Sequence, residues 1–286
     1  MLCNWTDSKS LCQEWKVMCE HDYQWKELEI TWEDKDIDYY VIINFPPKDA
    51  YYIPEKTIVF QMEPTCAVKP WGEWSSPDPK KFMHVRGRYT EHHNNAYWQM
   101  ELTLNEIIHL RYDRKLDKLS SICSNKYFEE GHIDRVNMLK YIEEKGGIDI
   151  DIYNYDNEQM WKNYRGKCGP FGDKSKGILP YKYYFMGENN YLRNFITEKV
   201  WEPILCETLV FYFGCPNIDD YIDKNAIVIL DPKNLQESYE TILRAIQEDW
   251  WTQRIGFIKQ AKAKILNELA FFPCVERIIN ENEKNM

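Results

Sequence analysis

The sequence predicts an α/β protein built on parallel sheets. The first observation is the run from Tyr181 to Asp231, where short apolar stretches end at polar residues and helix signals separate them. The second is that Tyr39–Asn44 (YYVIIN) and Thr57–Met62 (TIVFQM) repeat the pattern in the first part of the chain. The third is where the polar residues fall: they collect just after strands, where ligands bind in sheets of this kind.

Taken in order, Met1–Thr6 reads as a first strand. Asp7 or Ser8 then caps a helix carrying Leu11, Trp15 and Met18 at helical spacing. Trp25–Trp32 alternates in part and reads as strand, and Glu33–Asp38 as an acidic, solvated turn. Tyr39–Asn44 is a buried strand stopped by Pro46-Pro47. Thr57–Met62 is another and leads directly to Glu63-Pro64. A loop-rich stretch follows, holding His84 and His92-His93; no third ligand at a recognisable spacing supports zinc. Glu101–Leu110 has a helical face of Leu104, Ile107 and Ile108.

The charged stretch Arg111–Lys118 lacks apolar periodicity and marks a domain boundary, giving domains 1–117 and 118–286. Leu119–Cys123 opens the second domain as a strand ending at Ser124-Asn125. A helix from about Asp134 follows, with Val136, Leu139 and Ile142 inward and Gly146-Gly147 at its end. Ile148–Tyr153 is a strand in which Asp149 and Asp151 share a face. Tyr181–Met186 is the next, ending at Glu188-Asn189, and a helix opens at Thr197-Glu198-Lys199. Strands Leu209–Phe213 and Ala226–Leu230 follow. An amphipathic helix carries Leu235, Tyr239, Ile242, Leu243 and Ile246, a further helix runs from about Trp250 to Leu269, and Glu281–Met286 reads as a frayed tail.

The 286 residues suffice for two domains, and 44% hydrophobic with 29% charged residues is ordinary globular composition. A net charge of −10 argues against a nucleic-acid binder, though it permits a local basic pocket. Nine cysteines, an odd number without a C-x-x-C pair, favour a reducing compartment. No apolar run reaches the length of a bilayer span, and the amino terminus lacks a signal-peptide core. The expected location is cytoplasmic for a complete chain, or the Golgi lumen if an amino-terminal anchor was trimmed.

The chemistry concentrates at two helix openings. Thr197 is suited to cap a helix whose first turn holds Glu198 and Lys199. A helix amino terminus attracts anions, so a lysine there opposes the dipole unless it faces an anionic ligand; the alternative is a solvated side chain. Arg135 repeats the pattern in the first turn of the other helix, and the two cations together suit a diphosphate. Glu198 is suited to bond ribose or sugar hydroxyls, or simply to complement the dipole. No G-x-x-x-x-G-K-[ST] loop or strand-anchored G-x-G-x-x-G occurs. Asp149-Ile150-Asp151 matches the D-x-D of metal-dependent nucleotide-sugar enzymes, but a polar sheet edge explains it equally. Glu63, straight after an apolar strand, is suited to act as a general base, or is simply a loop glutamate.

The stretches YKYYFMGEN (Tyr181–Asn189) and FITEKVWEPIL (Phe195–Leu205), with a strand to Gly214 and Pro216, resemble the signature of glycosyltransferase family 10, the α-1,3/4-fucosyltransferases. The spacing from Asn189 to Phe195-Ile196-Thr197-Glu198-Lys199 agrees without gaps. Upstream, Ser124-Asn125, Arg135 and Leu139 match the family's S-N…R…L pattern. Glu63-Pro64 more loosely resembles its acidic element in the amino-terminal domain.

The resemblance spans about Leu119–Asp231 and implies a GT-B architecture, two Rossmann-like domains facing across a cleft. It implies GDP-fucose as donor, no cofactor and no metal, and an acceptor oligosaccharide or glycoconjugate bound by the first domain. Arg135 and Lys199 would neutralise the diphosphate, and Ser124, Asn125, Glu188, Asn189, Phe195 and Glu198 would line the donor site. Glu63 would be the base of an inverting transfer, α-1,3 to N-acetylglucosamine or glucose. Two departures, Phe195 where the family has tyrosine and Pro203 inside the helix, bear on donor choice. The alternatives are another nucleotide-sugar donor on the same fold, or a non-catalytic carbohydrate-binding protein.

Overall fold

The computed structural model describes residues 1–64, 69–87, 96–111, 114–155, 160–170 and 172–284. His92, His93 and Cys66 lie outside the described residues. The chain divides into two compact units, one of Met1–Tyr97, Thr103–Asn105 and Glu268–Met286, the other of Trp98–Leu102 and Glu106–Asn267.

The first unit holds β1 (Leu2–Cys3), α1 (Ser8–Trp15), β2 (Gln24–Trp25), β3 (Leu28–Glu29), β4 (Tyr40–Ile43), β5 (Thr57–Gln61) and β6 (His84–Gly87). Its sheet has the order β1-β4-β5-β6, every pair parallel. Asp7 caps α1 by accepting the Ser10 N–H at 3.0 Å, as the sequence suggested. The expected strand Trp25–Trp32 is instead a two-residue hairpin, β2 on β3, turned by Lys26 at φ 48°.

In the second unit come α2 (Leu104–Ile108), which straddles the division between the units, β7 (Leu116–Ile122), α3 (Glu130–Lys145), β8 (Ile150–Asn154), β9 (Tyr164–Lys167), β10 (Tyr181–Gly187), α4 (Glu198–Leu205), β11 (Leu209–Phe213), β12 (Ile227–Ile229), α5 (Leu235–Gln247) and α6 (Trp250–Lys264). The sheet order β12-β11-β10-β7-β8-β9 is parallel throughout. Edge strand β9 carries too little apolar character to have been visible in the sequence. Tyr183 stacks on Phe211 at 6.0 Å, one of many apolar side chains sealing β10 and β11 at the centre. A buried strand needs such residues on both faces, which explains the unbroken apolar runs.

The division differs from a single cut at 117/118: residues 98–102 and 106–117 lie in the second unit, and the carboxyl-terminal segment returns to the first. The last helix, α7 (Phe271–Lys284), belongs to the first unit. Its Phe271 meets Trp15 edge-on at 4.6 Å and lies 4.9 Å from Phe60. The segment expected to be a frayed tail is therefore helical to Lys284, because Phe271, Phe272, Val275, Ile278 and Ile279 give α7 a buried face. Pro273 does not stop it, since a first-turn residue has no intrahelical N–H bond to lose.

The described cysteines are free thiols and all buried. Among the described residues no helix is long and apolar enough to cross a membrane.

Candidate functional site

In the second unit, the carboxyl ends of β7 and β10 and the openings of α3 and α4 converge. Gly131 allows it: the α3 backbone lies so close to the end of β10 that a Cβ there would overlap the Glu188 carbonyl oxygen. The Gly131 N–H donates to the Asn189 carbonyl at 3.0 Å, which locks the contact.

Helix α3 begins at Glu130, not near Asp134, so Arg135 stands in the second turn rather than the first. Helical side chains tilt toward the amino terminus, and Arg135 still reaches the helix opening. Its guanidinium donates to the Asn189 side-chain oxygen at 2.8 Å, the Gly187 carbonyl at 3.5 Å and Ser124 Oγ at 3.4 Å. Its buried Nε has no partner among the described residues.

Thr197 caps α4 as expected, its Oγ1 accepting the Lys199 N–H at 3.4 Å. Lys199 Nζ lies 3.2 Å from Glu198 Oε1 and 3.7 Å from Glu188 Oε2. The two carboxylates thus give Lys199 a structural reason to stand against the dipole, beside any ligand. Burial works against the Lys199 charge, yet Glu198 and Glu188 raise its pKa above the usual value. For Glu198 burial likewise opposes the charge, but Lys199 and Lys174 hold the carboxyl down at about 2.

Glu188 is fully buried and serves as a brace rather than a pocket wall. It accepts from Thr197 N at 2.8 Å and Thr197 Oγ1 at 2.7 Å, which fixes the cap of α4 to the end of β10. Burial raises its pKa against the pull of Lys199. Gly214 at φ +150° makes room for it, since a Cβ there would collide with the Glu188 side chain.

One pocket collects Ser124, Arg135, Asn189, Glu198 and Lys199 of the predicted residues, together with Gln99, Lys126, His132, Tyr155, Lys174 and Glu202. Its volume is about 190 Å³. Besides Glu188, two expected donor residues fall outside it. Asn125 turns to solvent just beyond Ser124, and Phe195 is buried at 3% exposure away from the pocket wall. A phenyl ring has no polar group to keep at a wet wall, and the core takes it.

Several wall residues were missed. Glu202 stands one turn after Glu198 on α4, a spacing open to reading in the sequence. Burial lifts its carboxyl to about 7, although Lys174 pulls the other way. His132 is one position from Gly131; burial, reinforced by Arg135, Lys126 and Lys199, pushes its pKa down to about 4 and keeps it neutral. Lys174, at the start of a short 3-10 turn, and Gln99, in a loop, carry no distinguishing local pattern.

Asp149 and Asp151 lie at the amino-terminal end of β8, away from this pocket. Lys118 neutralises both, at 2.9 and 2.8 Å, and the Tyr181 hydroxyl donates to Asp151 at 2.8 Å. Lys118 thus accounts for both aspartates, although β8 lies inside the sheet and β9 forms its edge.

In the first unit, Asn44 ties three strand ends together. Fully buried at φ 63°, it donates to the Asn4 side chain at 3.0 Å and accepts the Met62 N–H at 2.8 Å, while its carbonyl takes the Gln61 amide at 2.7 Å. Asparagine tolerates this left-handed backbone better than most residues. Just beyond β5, Glu63 is half-buried and accepts the Trp5 indole N–H at 3.2 Å.

No family model matches the chain. Part of it is similar to GDP-fucose protein O-fucosyltransferase 3 of Gallus gallus, 32% identical over 82 residues, which is 27% of this chain and 17% of the relative. The protein of the same name from Danio rerio is 26% identical over 80 residues, 28% of this chain and 18% of the relative. The matched segments thus span less than a fifth of these relatives' length. Among solved structures, an alpha1,3-fucosyltransferase crystallised with GDP superposes with a TM-score of 0.53 at 12% identity, covering 93% of this chain and 90% of that one. A mutant of S. aureus TarM in complex with fondaparinux, alpha-GlcNAc-glycerol and UDP gives a TM-score of 0.52 at 14% identity, covering 86% of this chain and 54% of that one. These likenesses, with the two parallel α/β sheets, show a GT-B-type fold.

Proposed function

We propose that this chain is an inverting, metal-independent glycosyltransferase that moves L-fucose from GDP-fucose to a hydroxyl of an acceptor oligosaccharide or glycoconjugate. The observation that carries the reading is the pocket at the carboxyl ends of β7 and β10, where Arg135 and Lys199 stand over Ser124 and Asn189 beside the ionised Glu198. That arrangement suits a diphosphate next to a ribose or sugar. The partial similarity to GDP-fucose-dependent relatives supports fucose as the sugar.

In this reading the acceptor oxygen attacks the anomeric carbon while Glu63 takes its proton. The bond from that carbon to the phosphate oxygen breaks on the opposite face, and GDP leaves with the bonding pair. The anomeric centre inverts in one displacement. Arg135 and Lys199 stabilise the charge that grows on the diphosphate, the kind of preorganised electrostatics that supplies about 3–4 kcal/mol per well-placed group.

The test is a binding screen of GDP, UDP and dTDP sugars by thermal shift, followed by transfer to a glycan array. Stabilisation by GDP-fucose with transfer to any acceptor supports the proposal. Selective stabilisation by a UDP or dTDP sugar points to the same fold with another donor. Absence of both donor stabilisation and transfer overturns the enzyme reading in favour of carbohydrate binding alone.

A further inference from the structure

We propose that Lys174 and Glu202 form a buried positioning pair for the donor pocket, which fixes the Glu198 carboxylate. The inference rests on the donor reading above and adds two residues to it.

Lys174 opens the short 3-10 turn Lys174–Gly177 and is only 3% exposed. Its Nζ lies 2.6 Å from Glu202 and 4.0 Å from Glu198, and donates to the Gln99 side-chain oxygen at 3.2 Å. Glu202, 1% exposed, also accepts the Gln99 N–H at 2.7 Å. Glu198 and Glu202 are one turn apart on α4, and a lysine from a separate element bridges them. Glu198 is thereby held between Lys174 on one side and Lys199 on the other.

A buried ion pair is a poor way to gain stability, because desolvation offsets most of its attraction. Its position gives it another use. Among the described residues, four cations, Lys126, Arg135, Lys174 and Lys199, and two carboxylates, Glu198 and Glu202, line the pocket. The pair itself is neutral and leaves the pocket's charge to Lys126, Arg135 and Lys199 against Glu198, an excess of two positive charges that suits the two negative charges of a diphosphate diester. Without Lys174, Glu202 is left uncompensated beside the diphosphate and Glu198 is released on one side.

The pair also makes binding depend on pH. Glu202 is faced by Lys174 from the turn, Glu198 and Cys206 on and just past its own helix, Tyr155 beyond β8, Tyr184 on β10 and the Gln99 N–H. Among these it titrates at about 7. An anionic ligand favours the protonated form, so affinity falls as pH rises from about 6 to 8. The diphosphate diester has no group of its own that titrates there.

The experiment titrates GDP-fucose into the full chain by calorimetry between pH 6 and 8.5. The variants are Lys174→Met, Lys174→Arg, Glu202→Gln and the double variant Lys174→Met/Glu202→Met, each checked for folding by circular dichroism. Lys174→Met is expected to weaken binding about 10- to 100-fold, the size of a lost charged hydrogen bond. Lys174→Arg is expected to recover most of it, and Glu202→Gln to remove the pH dependence. The double variant leaves the pocket's net charge unchanged and no charge unpaired, so a merely structural pair predicts wild-type affinity there, whereas a positioning pair predicts affinity below wild type, because Glu198 is still released on one side. Wild-type affinity in the double variant, or an unchanged pH profile in Glu202→Gln, overturns the proposal. Wild-type protein that fails to bind GDP-fucose overturns the donor reading and the pair with it.

Discussion

The Trp5 indole N–H donates to Glu63 Oε1 at 3.2 Å across 58 residues of sequence. The contact holds one oxygen of the proposed base and leaves the carboxylate with a defined direction. Asn44, by tying the ends of β1, β4 and β5, brings the two residues together.

Trp5→Phe keeps the ring and removes the donor. A lost hydrogen bond to a carboxylate, about 1.5 kcal/mol, predicts roughly tenfold slower turnover. Glu63→Gln removes the base itself and is expected to cost about 10²- to 10⁴-fold. Steady-state assay of GDP-fucose turnover checks both, with GDP affinity unchanged in each. Undiminished turnover in Glu63→Gln removes Glu63 from the mechanism.

Arg135→Ala and Lys199→Ala each remove a cation from the pocket and should weaken GDP binding by about 1.5–3 kcal/mol. The two differ in stability. Lys199→Ala also leaves Glu188 and Glu198 short of a counter-charge, so it should lower the melting temperature further than Arg135→Ala. Calorimetry and thermal melts read the two effects separately. Equal GDP affinity in both variants and wild type places the phosphate site elsewhere.

Gly131→Ala tests the close approach of α3 to β10. The added methyl overlaps the Glu188 carbonyl, and the backbone must shift at a cost of about 1–3 kcal/mol. Urea denaturation measures it. The displaced helix also moves Arg135, so GDP binding should weaken alongside stability. Full stability in this variant contradicts the described packing.

His132 predicts a pH dependence. Its folded pKa of about 4 lies below the ordinary value near 6.5, so the unfolded chain binds the extra proton first. Stability is fully present above pH 6.5 and is lost as pH falls toward 4, by at most about 3 kcal/mol. Glu202 works the other way: its raised pKa means that stability falls as pH rises from about 4.5 to 7. The two oppose each other in the wild type. His132→Gln should therefore become less stable as pH rises through this window, and Glu202→Gln more stable, as read from denaturation midpoints at pH 5 and 6.5. Parallel curves for all three proteins exclude both assignments.

What the sequence determined by itself is local. Unbroken apolar runs marked β4, β5, β10 and β11, because a buried parallel strand needs apolar groups on both faces. Thr197 marked the opening of α4, because a cap is set by the residues beside it. Ser124, Asn189, Glu198 and Lys199 were legible as neighbours because each follows a strand end or opens a helix, and parallel topology gathers such places on one edge, whereas Arg135 reaches them from the second turn of α3. Tertiary structure alone decided the rest. It paired Lys174 with Gln99 across 75 residues, buried Phe195, turned Asn125 outward and returned α7 to the first unit. Nothing within a few residues of Lys174 distinguishes it from the other lysines of its loop. Its role arises only where folding removes water and leaves Glu202 as its counter-charge.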